Sequence, residues 1–260
     1  MLRNEFNSLE YYTFDSFPKN KVNHGIFSRH GGVSQGPFSS LNVSESSGDS
    51  RENVVQNRQR IFDVFSRSME SIHDVWQIHS EKVITAKSPR KPGVDHIQAD
   101  AILTDSKDVS LFMQFADCVP ILIYDPTKNV VGTIHAGWQG TVKRIIQHAI
   151  QEMKSKYLCK PRDIIAGIGP SIGPDHYEIG NNVIIEVHEK LSEIKEDILI
   201  TRNGKTFFDL WKSNELLLKQ MGVEQIEVSE ICTACNTNQW FSYRSEGQKT
   251  GRFGVLLSLK

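Results

Sequence analysis

The sequence has few of the features that mark disulfide-bonded, membrane-spanning or nucleic-acid-binding proteins. Its 260 residues include only four cysteines, and a formal net charge of −1 gives no basic excess for nucleic acid. The longest apolar runs, such as residues 119–124, are too short to cross a bilayer, and residues 1–6 lack a secretion-signal pattern. We therefore expect a cytoplasmic protein that binds neither nucleic acid nor membrane, with free or metal-bound thiols rather than disulfides.

The pattern of apolar residues predicts a mixture of helices and strands within one domain spanning residues 1–260. No internal repeat or low-complexity linker divides the chain, and residues 28–50 form a Gly-, Ser- and Asn-rich loop. Helical periodicity predicts helices over residues 51–65, 141–157, 181–194 and 210–221. Strands are predicted over residues 75–86, 101–103, 109–115, 120–124, 130–135, 163–168, 225–228 and 253–259. Turn residues at 125–129 predict a hairpin, so we expect an α+β fold with mixed sheets.

Two histidines and one cysteine lie where short extended runs end in tight or polar segments. They are His79, Cys118 and His135. Two imidazoles and one thiolate suit zinc, and three protein ligands leave the open coordination position of a catalytic metal. Each residue also has an ordinary structural interpretation, because isolated histidines beside strands usually satisfy local hydrogen bonds and cysteines often fill cores. The hypothesis of a metal-dependent enzyme therefore requires the three side chains to meet in space.

The residues beside these candidates indicate a polar site. Asp117, next to Cys118, is costly to bury without a partner, so we expect it to hold a ligand imidazole or to orient a substrate. Gly137 and Gly140 follow His135 and allow close backbone approach before a predicted helix. An anion or a polarised substrate would be favoured beside the ligand in that geometry.

Seven short segments together resemble the YfiH/YlmD (laccase-domain) family. They are residues 28–34 (SRHGGVS), 76–79 (WQIH), 116–120 (ADCVP), 134–140 (IHAGWQG), 169–173 (GPSIG), 232–233 (CT) and 250–253 (TGRF). The resemblance extends from Phe27 to Phe253, nearly the whole chain. It implies a layered sandwich of mixed β-sheets with flanking helices, similar to a toxin deamidase that has a Cys–His pair.

The same resemblance implies a metal-dependent purine nucleoside phosphorylase that converts adenosine or inosine and phosphate into base and ribose 1-phosphate. Adenosine deaminase and methylthioadenosine phosphorylase activities would accompany it, and an older name describes polyphenol oxidases. Carried onto this chain, the metal ligands are His79, Cys118 and His135, with zinc as the metal and copper as the alternative. We expect a monomer or a homodimer.

Candidate substrate contacts follow from this expectation. Arg29 lies beside Gly31 and Gly32, where a guanidinium and free backbone amides would suit phosphate or ribose. Asn42 and Arg58 are candidates from the family pattern, although either arginine could instead be a solvated charge. In deamination, we expect Asp117 to transfer a proton near the metal.

Two positions depart from the family pattern. Many relatives have His where this chain has Tyr243, so no role of that histidine transfers here. Cys235 lies outside the pattern, and no second cysteine pair accompanies Cys232 and Cys235. We therefore expect these two cysteines to be free thiols rather than a second metal site.

Three other interpretations remain open from the residues alone. Cys118 could be the nucleophile of a hydrolase, with His135 as its base. Copper also binds thiolate and imidazole, although the nine histidines contain no His-X-His pair for a trinuclear cluster. Finally, the protein could be a non-enzymatic module in which zinc has a purely structural role, and a fourth protein ligand would indicate this.

Overall fold

A computed structural model covering residues 1–260 contains fourteen strands and seven α-helices. The strands are β1 (Leu2–Phe6), β2 (Leu9–Thr13), β3 (Val22–Phe27), β4 (Ile72–His73), β5 (Val83–Thr85), β6 (Ala101–Thr104), β7 (Ser110–Phe115), β8 (Val119–Asp125), β9 (Val130–Ala136), β10 (Ile165–Ile168), β11 (Leu199–Arg202), β12 (Lys205–Phe208), β13 (Gln225–Val228) and β14 (Phe253–Leu259). The helices are α1 (Arg51–Val64), α2 (Trp138–Val142), α3 (Ile145–Tyr157), α4 (Asn181–Lys190), α5 (Lys195–Ile198), α6 (Leu210–Gln220) and α7 (Tyr243–Glu246). None of these helices has the length and apolarity needed to span a membrane.

The strands form two six-stranded mixed sheets and one small hairpin. Sheet 1 has the order β1-β2-β3-β14-β7-β4, and sheet 2 has the order β13-β10-β8-β9-β6-β5. Most neighbouring strands are antiparallel, whereas β4–β7, β10–β13 and β5–β6 are parallel pairs. The expected α+β fold with mixed sheets is therefore confirmed.

The two sheets pack face to face, and helices cover their outer faces. In β8, Leu122 joins the cluster between the sheets, while Ile123 points to the cluster beneath α3 and α6. On the far side, Ile61 of α1 packs with Phe112 of β7. Alternating side chains of each strand thus supply two hydrophobic clusters, which accounts for the almost complete burial of β8, β9 and β14.

Local sequence signals explain several element boundaries. Ser50 caps α1, because its side chain accepts a hydrogen bond from the backbone N–H of Asn53. Asp125 Oδ1 accepts from the backbone N–H groups of Thr127 and Lys128, at 2.8 and 2.9 Å, and closes the turn between β8 and β9. The predicted hairpin is therefore present with full antiparallel pairing of its two strands.

Three predicted elements were wrong in extent, and one of them, the helix predicted over residues 181–194, ends at Lys190. The strand predicted over residues 75–86 is reduced to β5, because residues 78–80 turn their backbone N–H groups towards a buried carboxylate. The helix predicted over residues 141–157 breaks between α2 and α3 at Arg144, which has a left-handed φ of 61°. In that conformation the Arg144 guanidinium donates to the carbonyl of Lys190, which ties the break to the end of α4.

One edge of sheet 2 collects the ends of several strands. Cys118 immediately precedes β8, and His135 lies near the end of β9, its antiparallel neighbour. Asp100 precedes β6, which pairs antiparallel with β9, and His79 precedes β5, which is parallel to β6. The topology of these four neighbouring strands therefore brings His79 and Cys118, which are 39 positions apart in the sequence, to the same edge.

Candidate active site

His79, Cys118 and His135 meet at this edge. One ligand atom from each residue lies within 4.8 Å of the other two, and Cys118 Sγ lies 3.8 Å from His79 Nε2. For tetrahedral zinc, bond lengths of sulfur and nitrogen ligands imply an S···N separation of about 3.5 Å. The donor set and its spacing thus fit a zinc ion, with three protein ligands and an open position.

Gly137 leaves the space in which two of these side chains meet. A Cβ atom at this position would lie 2.8 Å from Cys118 Sγ and 3.0 Å from His79 Cδ2. Its backbone dihedrals, φ −71° and ψ 175°, are open to any residue, so the requirement for glycine here is steric. The ligand cluster therefore depends on the absence of a side chain at residue 137.

Asp100 is a site residue that the sequence analysis missed. Its fully buried carboxylate accepts hydrogen bonds from His135 Nδ1 at 2.9 Å and from the backbone N–H of His79 at 3.0 Å. The backbone N–H and hydroxyl of Ser80 donate to its other oxygen at 2.6 and 2.7 Å. One carboxylate thus orients one ligand ring and shapes the turn that carries the other.

The electrostatics of the cluster favour its charged forms. Burial opposes ionisation of Asp100, but hydrogen bonds from His135 and Ser80 outweigh it and lower the pKa of this carboxyl to about 2. Burial likewise opposes a Cys118 thiolate, yet His135 and His79 lower the pKa of that thiol to about 6. Burial disfavours the imidazolium of His135, whereas Cys118 and Asp100 raise its pKa to about 9. Without an ion, these shifts favour a thiolate–imidazolium pair. The thiolate is the form of sulfur that binds a metal, and His135 would release its Nε2 proton on binding the same ion.

These side chains lie in the wall of a cavity of about 620 Å³, a volume typical of small-molecule sites. Its polar lining includes Ser44, Ser46, Gln77, His79, Gln114, Asp117, Cys118, His135, Gln139, Tyr243, Arg244 and Arg252. Tyr177 and Trp138 contribute aromatic surface. The cavity therefore combines a metal-ligand set, two guanidinium groups and apolar rings.

Gln114 offers a free acceptor in this lining. Its backbone N–H donates to Gln77 Oε1 at 3.1 Å, and its backbone carbonyl accepts from Gln77 Nε2 at 2.9 Å. Its side-chain Oε1 is buried and has no protein partner. A buried acceptor of this kind is costly unless a bound molecule or water satisfies it.

Asp117 lies in the cavity but does not hold a ligand imidazole. Its oxygens accept from the Thr233 hydroxyl and from the backbone N–H of Arg244, both at 2.6 Å. The role of imidazole acceptor belongs to Asp100 instead, because Asp100 is the carboxylate that contacts His135. Asp117 joins three loops beside the metal ligands, and its positive φ of 78° places it at the turn before Cys118.

Arg29 lies outside the cavity, contrary to the expected phosphate contact. Its guanidinium pairs with Glu246 at 2.8 Å and donates to the carbonyls of Ser39 and Thr237. It also stacks over Phe241, with 4.4 Å between the guanidinium carbon and the ring centroid. These contacts use the positive charge within the fold, so direct substrate contact is no longer expected of Arg29.

Asn42 and Arg58 act next to the cavity rather than in its wall. The buried Asn42 Oδ1 accepts from the backbone N–H groups of Ser44 and Arg252, at 3.1 and 2.8 Å, and so positions two lining residues. Arg58 donates to the carbonyl of Val43 and faces Asp74 in a smaller adjoining pocket of about 140 Å³. Neither residue is part of the lining of the larger cavity.

Arg252 and Arg244 are the two arginines that line the cavity, which Arg29 does not. Arg252 Nη1 donates to the carbonyls of Thr250 and Gly251, and burial lowers its pKa although nearby Cys118 opposes that shift. Arg244 Nη1 donates to the carbonyl of Glu178 at 3.0 Å. Arg252 lies within the TGRF segment noted in the sequence, which was the available signal for its role.

Comparisons with known proteins identify relatives over nearly the whole chain. The sequence model of the multi-copper polyphenol oxidoreductase laccase family matches residues 23–260. Purine nucleoside phosphorylase YlmD of Bacillus subtilis is 36% identical over 246 residues, covering 91% of this chain and 88% of that protein. A purine nucleoside phosphorylase of Deinococcus radiodurans is 34% identical over 242 residues, covering 93% and 91%.

Solved structures of relatives have the same fold. The crystal structure of YlmD from Geobacillus stearothermophilus superimposes with a TM-score of 0.89 at 30% identity, covering 99% of this chain and 98% of that chain. The Bacillus licheniformis hypothetical protein YfiH gives the same TM-score at 29% identity, with 98% of each chain covered. The motifs, the layered sheets and the sequence relatives agree, and the chain belongs to the YfiH/YlmD laccase-domain family.

Proposed function

We propose that this protein is a metal-dependent purine nucleoside phosphorylase acting on adenosine or inosine and phosphate. The observation that carries the proposal is the meeting of His79, Cys118 and His135 with two guanidinium groups in one cavity. Related proteins of similar length are named purine nucleoside phosphorylases, which supports the same reaction class. We further propose that residues 1–260 act as one domain, because both sheets contribute to the cavity.

The cavity provides groups for each part of the reaction. Phosphate requires positive charge beside the sugar, and Arg252 and Arg244 are the lining guanidinium groups that would hold it. Gln114 lines the cavity, and its unpartnered Oε1, buried in this conformation, would turn towards the cavity to accept a hydrogen bond from a ribose hydroxyl or a purine N–H. Tyr177 would pack against the apolar face of the nucleoside. Together these contacts would align phosphate and sugar for transfer.

Zinc held by His79, Cys118 and His135 would supply Lewis-acid stabilisation of developing negative charge. Asp100 would keep His135 in one orientation by accepting from Nδ1, which leaves Nε2 directed to the cluster. Copper is the alternative occupant, since the same donors bind it.

Adenosine deaminase and methylthioadenosine phosphorylase activities are proposed as side reactions of the same cavity. Deamination at the purine ring needs a group that moves a proton to the departing amine. Asp117 lines the cavity within the turn that precedes Cys118, and its carboxylate is the candidate for that transfer. We expect loss of Cys118 to remove all three activities together.

The test is hypoxanthine release from inosine with and without phosphate, using wild-type, Cys118→Ala and Cys159→Ala proteins. Cys159 is a buried thiol packed with the cluster beneath α3, which makes its variant a matched control. Phosphate-dependent release in the wild type and the control, but not in Cys118→Ala, is the expected result. Absence of phosphate-dependent release from zinc-replete wild type would reject the proposal.

A cysteine hydrolase is the second candidate, favoured by one specific arrangement. Cys118 would be the nucleophile, His135 its base and Asp100 the carboxylate that orients the base, as in Cys–His–Asp catalysis. This candidate requires activity in metal-free protein, rapid inactivation by iodoacetamide and a covalent adduct on Cys118 detected by mass spectrometry. The phosphorylase predicts loss of activity on metal removal and recovery when zinc is restored.

A copper polyphenol oxidase has less support. Laccase chemistry uses a histidine-rich trinuclear cluster in addition to a mononuclear site. Apart from the proposed active site, the only other group of His, Cys, Asp and Glu spaced for a metal contains a single histidine. Oxidation of a phenolic substrate by copper-loaded protein, at rates that a Cys118→Ala variant loses, would revive this candidate.

A further inference from the structure

A second cluster of metal-ligating side chains lies outside the active-site cavity. It consists of Asp175, His176, Cys232 and Cys235, one ligand atom of each being within 4.8 Å of all the others. The first two residues follow β10 in a tight turn, and the cysteines follow β13. An isolated parallel bridge between Ser171 and Cys232 holds the two segments side by side. The structure thus supplies two ligands that the short Cys-X-X-Cys segment lacks in sequence.

We propose that these four residues form a closed metal site that takes zinc or another thiophilic divalent cation. Cys235 Sγ lies 3.4 Å from His176 Nδ1, and Cys232 Sγ lies 3.8 Å from the same atom. Tetrahedral zinc places sulfur and nitrogen ligands about 3.5 Å apart, which these two distances bracket. Two thiolates, one imidazole and one carboxylate complete four-coordination, as in structural rather than catalytic zinc sites.

The backbone around Cys232 independently points to a bound cation. The N–H groups of Gly173 and Cys235 both donate to Cys232 Sγ, at 3.2 and 3.4 Å. Two such donors stabilise a thiolate, the form of cysteine that ligates metal. A side chain at Gly173 would contact Asp175 and Cys232, with a Cβ atom 2.6 Å from Asp175 Oδ1. The turn is therefore shaped to bring these ligands together.

Metal binding would change the protonation of the cluster in a defined way. Without an ion, the Cys235 thiol donates a hydrogen bond to Asp175 Oδ2 at 3.0 Å. On binding, the two S–H bonds of Cys232 and Cys235 are replaced by two bonds from sulfur to the metal. The two protons pass to solvent, and no electron is transferred. Asp175 Oδ2 is then free to become a ligand in place of a hydrogen-bond acceptor.

The second site would hold one wall of the active-site cavity. Tyr177, which lines the cavity, follows His176 directly, and Arg244 donates to the carbonyl of His176 at 3.2 Å. Thr233, next to Cys232, donates through its hydroxyl to Asp117. An ion joining the two turns would therefore restrict the segments that carry these contacts. Three of the four ligands are exposed, which leaves an entry path for the ion.

The test is zinc content of the full chain by inductively coupled plasma mass spectrometry, after passage over a chelating resin. Wild type and a Cys159→Ala control are expected to retain two zinc ions per chain. Cys235→Ala should retain only the ion of the active site, and Cys118→Ala only the ion of the second site. The double variant should retain none. Because Cys235 is exposed, its substitution leaves the core unchanged, and circular dichroism checks the fold.

Cobalt provides a readout that is independent of activity and of folding yield. Cobalt added to metal-free Cys118→Ala should produce the intense visible absorption of tetrahedral thiolate coordination, and Cys235→Ala in that background should abolish it. The same zinc content in wild type and Cys235→Ala would overturn the proposal. Zinc removed from Cys118→Ala by the resin would indicate only weak surface binding and would also overturn it.

Discussion

A methyl group added at Gly137 is expected to separate the metal ligands without unfolding the protein. In Gly137→Ala the new Cβ would lie 2.8 Å from Cys118 Sγ and 3.0 Å from His79 Cδ2, so at least one ligand must move. Relieving these contacts needs a shift of roughly 0.5–1 Å, which exceeds the ~0.2 Å tolerance of metal–ligand distances. We therefore expect zinc affinity to fall about 100-fold, which corresponds to roughly 2.7 kcal/mol.

The backbone at this position accepts alanine, since φ is −71° and ψ is 175°. The free energy of unfolding of the metal-free variant should therefore stay within about 1 kcal/mol of wild type. Gly140→Ala, in the helix that Gly137 precedes, is the matched control, because its Cβ would meet only ordinary contacts at 3.4 Å or more. If the proposed phosphorylase reaction is correct, kcat/KM for inosine should also fall about 100-fold in Gly137→Ala, as expected for a catalytic group displaced by about 1 Å.

The assay is competition for zinc between each metal-free protein and a chromophoric chelator, with urea unfolding measured on the same samples. Every protein carries Cys235→Ala, so that only the active site competes for the ion. The expected outcome is weak binding only in Gly137→Ala and similar unfolding curves for all three proteins. Equal zinc affinity of Gly137→Ala and Gly140→Ala would refute the ligand geometry. A loss of affinity accompanied by an equal loss of stability in metal-free protein would show that the fold, and not the ligand set, was perturbed.

Three further predictions concern residues around the site and in the core. Asp100→Asn turns an amide N–H group towards backbone and imidazole donors, so the free energy of unfolding measured in urea should fall by about 3 kcal/mol. A fall of less than about 1 kcal/mol would contradict the role of Asp100 in holding His79 and His135. Burial lowers the pKa of His24 from 6.5 to about 4, so its stabilising contribution is complete above pH 6.5 and is lost as pH falls towards 4. Between pH 6.5 and pH 4, the free energy of unfolding of wild type should fall by roughly 3 kcal/mol more than that of His24→Gln. Parallel profiles of unfolding free energy against pH for the two proteins would exclude the effect. Arg29→Gln should lower the melting temperature and leave the KM for phosphate unchanged. Arg252→Gln should raise the KM for phosphate about tenfold or more. The reverse pattern would show that Arg29, and not Arg252, contacts phosphate.

Strong apolar patterns made much of the fold predictable. The runs that became β7, β8, β9 and β14 are buried along nearly their whole length, and α1 and α6 begin beside capping side chains. The first strand was not predicted because Leu2 and Phe6 are its apolar residues and both remain exposed. β1 is extended because it pairs with β2, and the apolar pattern of residues 2–6 does not indicate that pairing.

The three candidate metal ligands, which the structure brings together, were chosen from residue type, strand-end position and family resemblance. Asp100 escaped notice because every donor to its carboxylate comes from residues 20 or more positions away. Arg29 was chosen for its charge and the neighbouring glycines, and neither feature indicates that its partner is Glu246, 217 positions later in the chain. Such pairings depend on the tertiary fold. The sequence therefore indicates which residues are candidates for a functional site, but not which side chains contact them in the folded protein.

The position of β14 has a consequence for the order in which this protein can assemble. β14 follows every other strand in the chain, yet it lies between β3 and β7 in the middle of sheet 1. While the ribosome has not yet released residues 253–259, β3 and β7 lack their common neighbour, and Arg252 is missing from the cavity. Pairing over such sequence distances is slow and leaves strand edges open to other chains. Until β14 is inserted, the nascent chain would therefore have an incomplete cavity and open edges on β3 and β7, which favour aggregation.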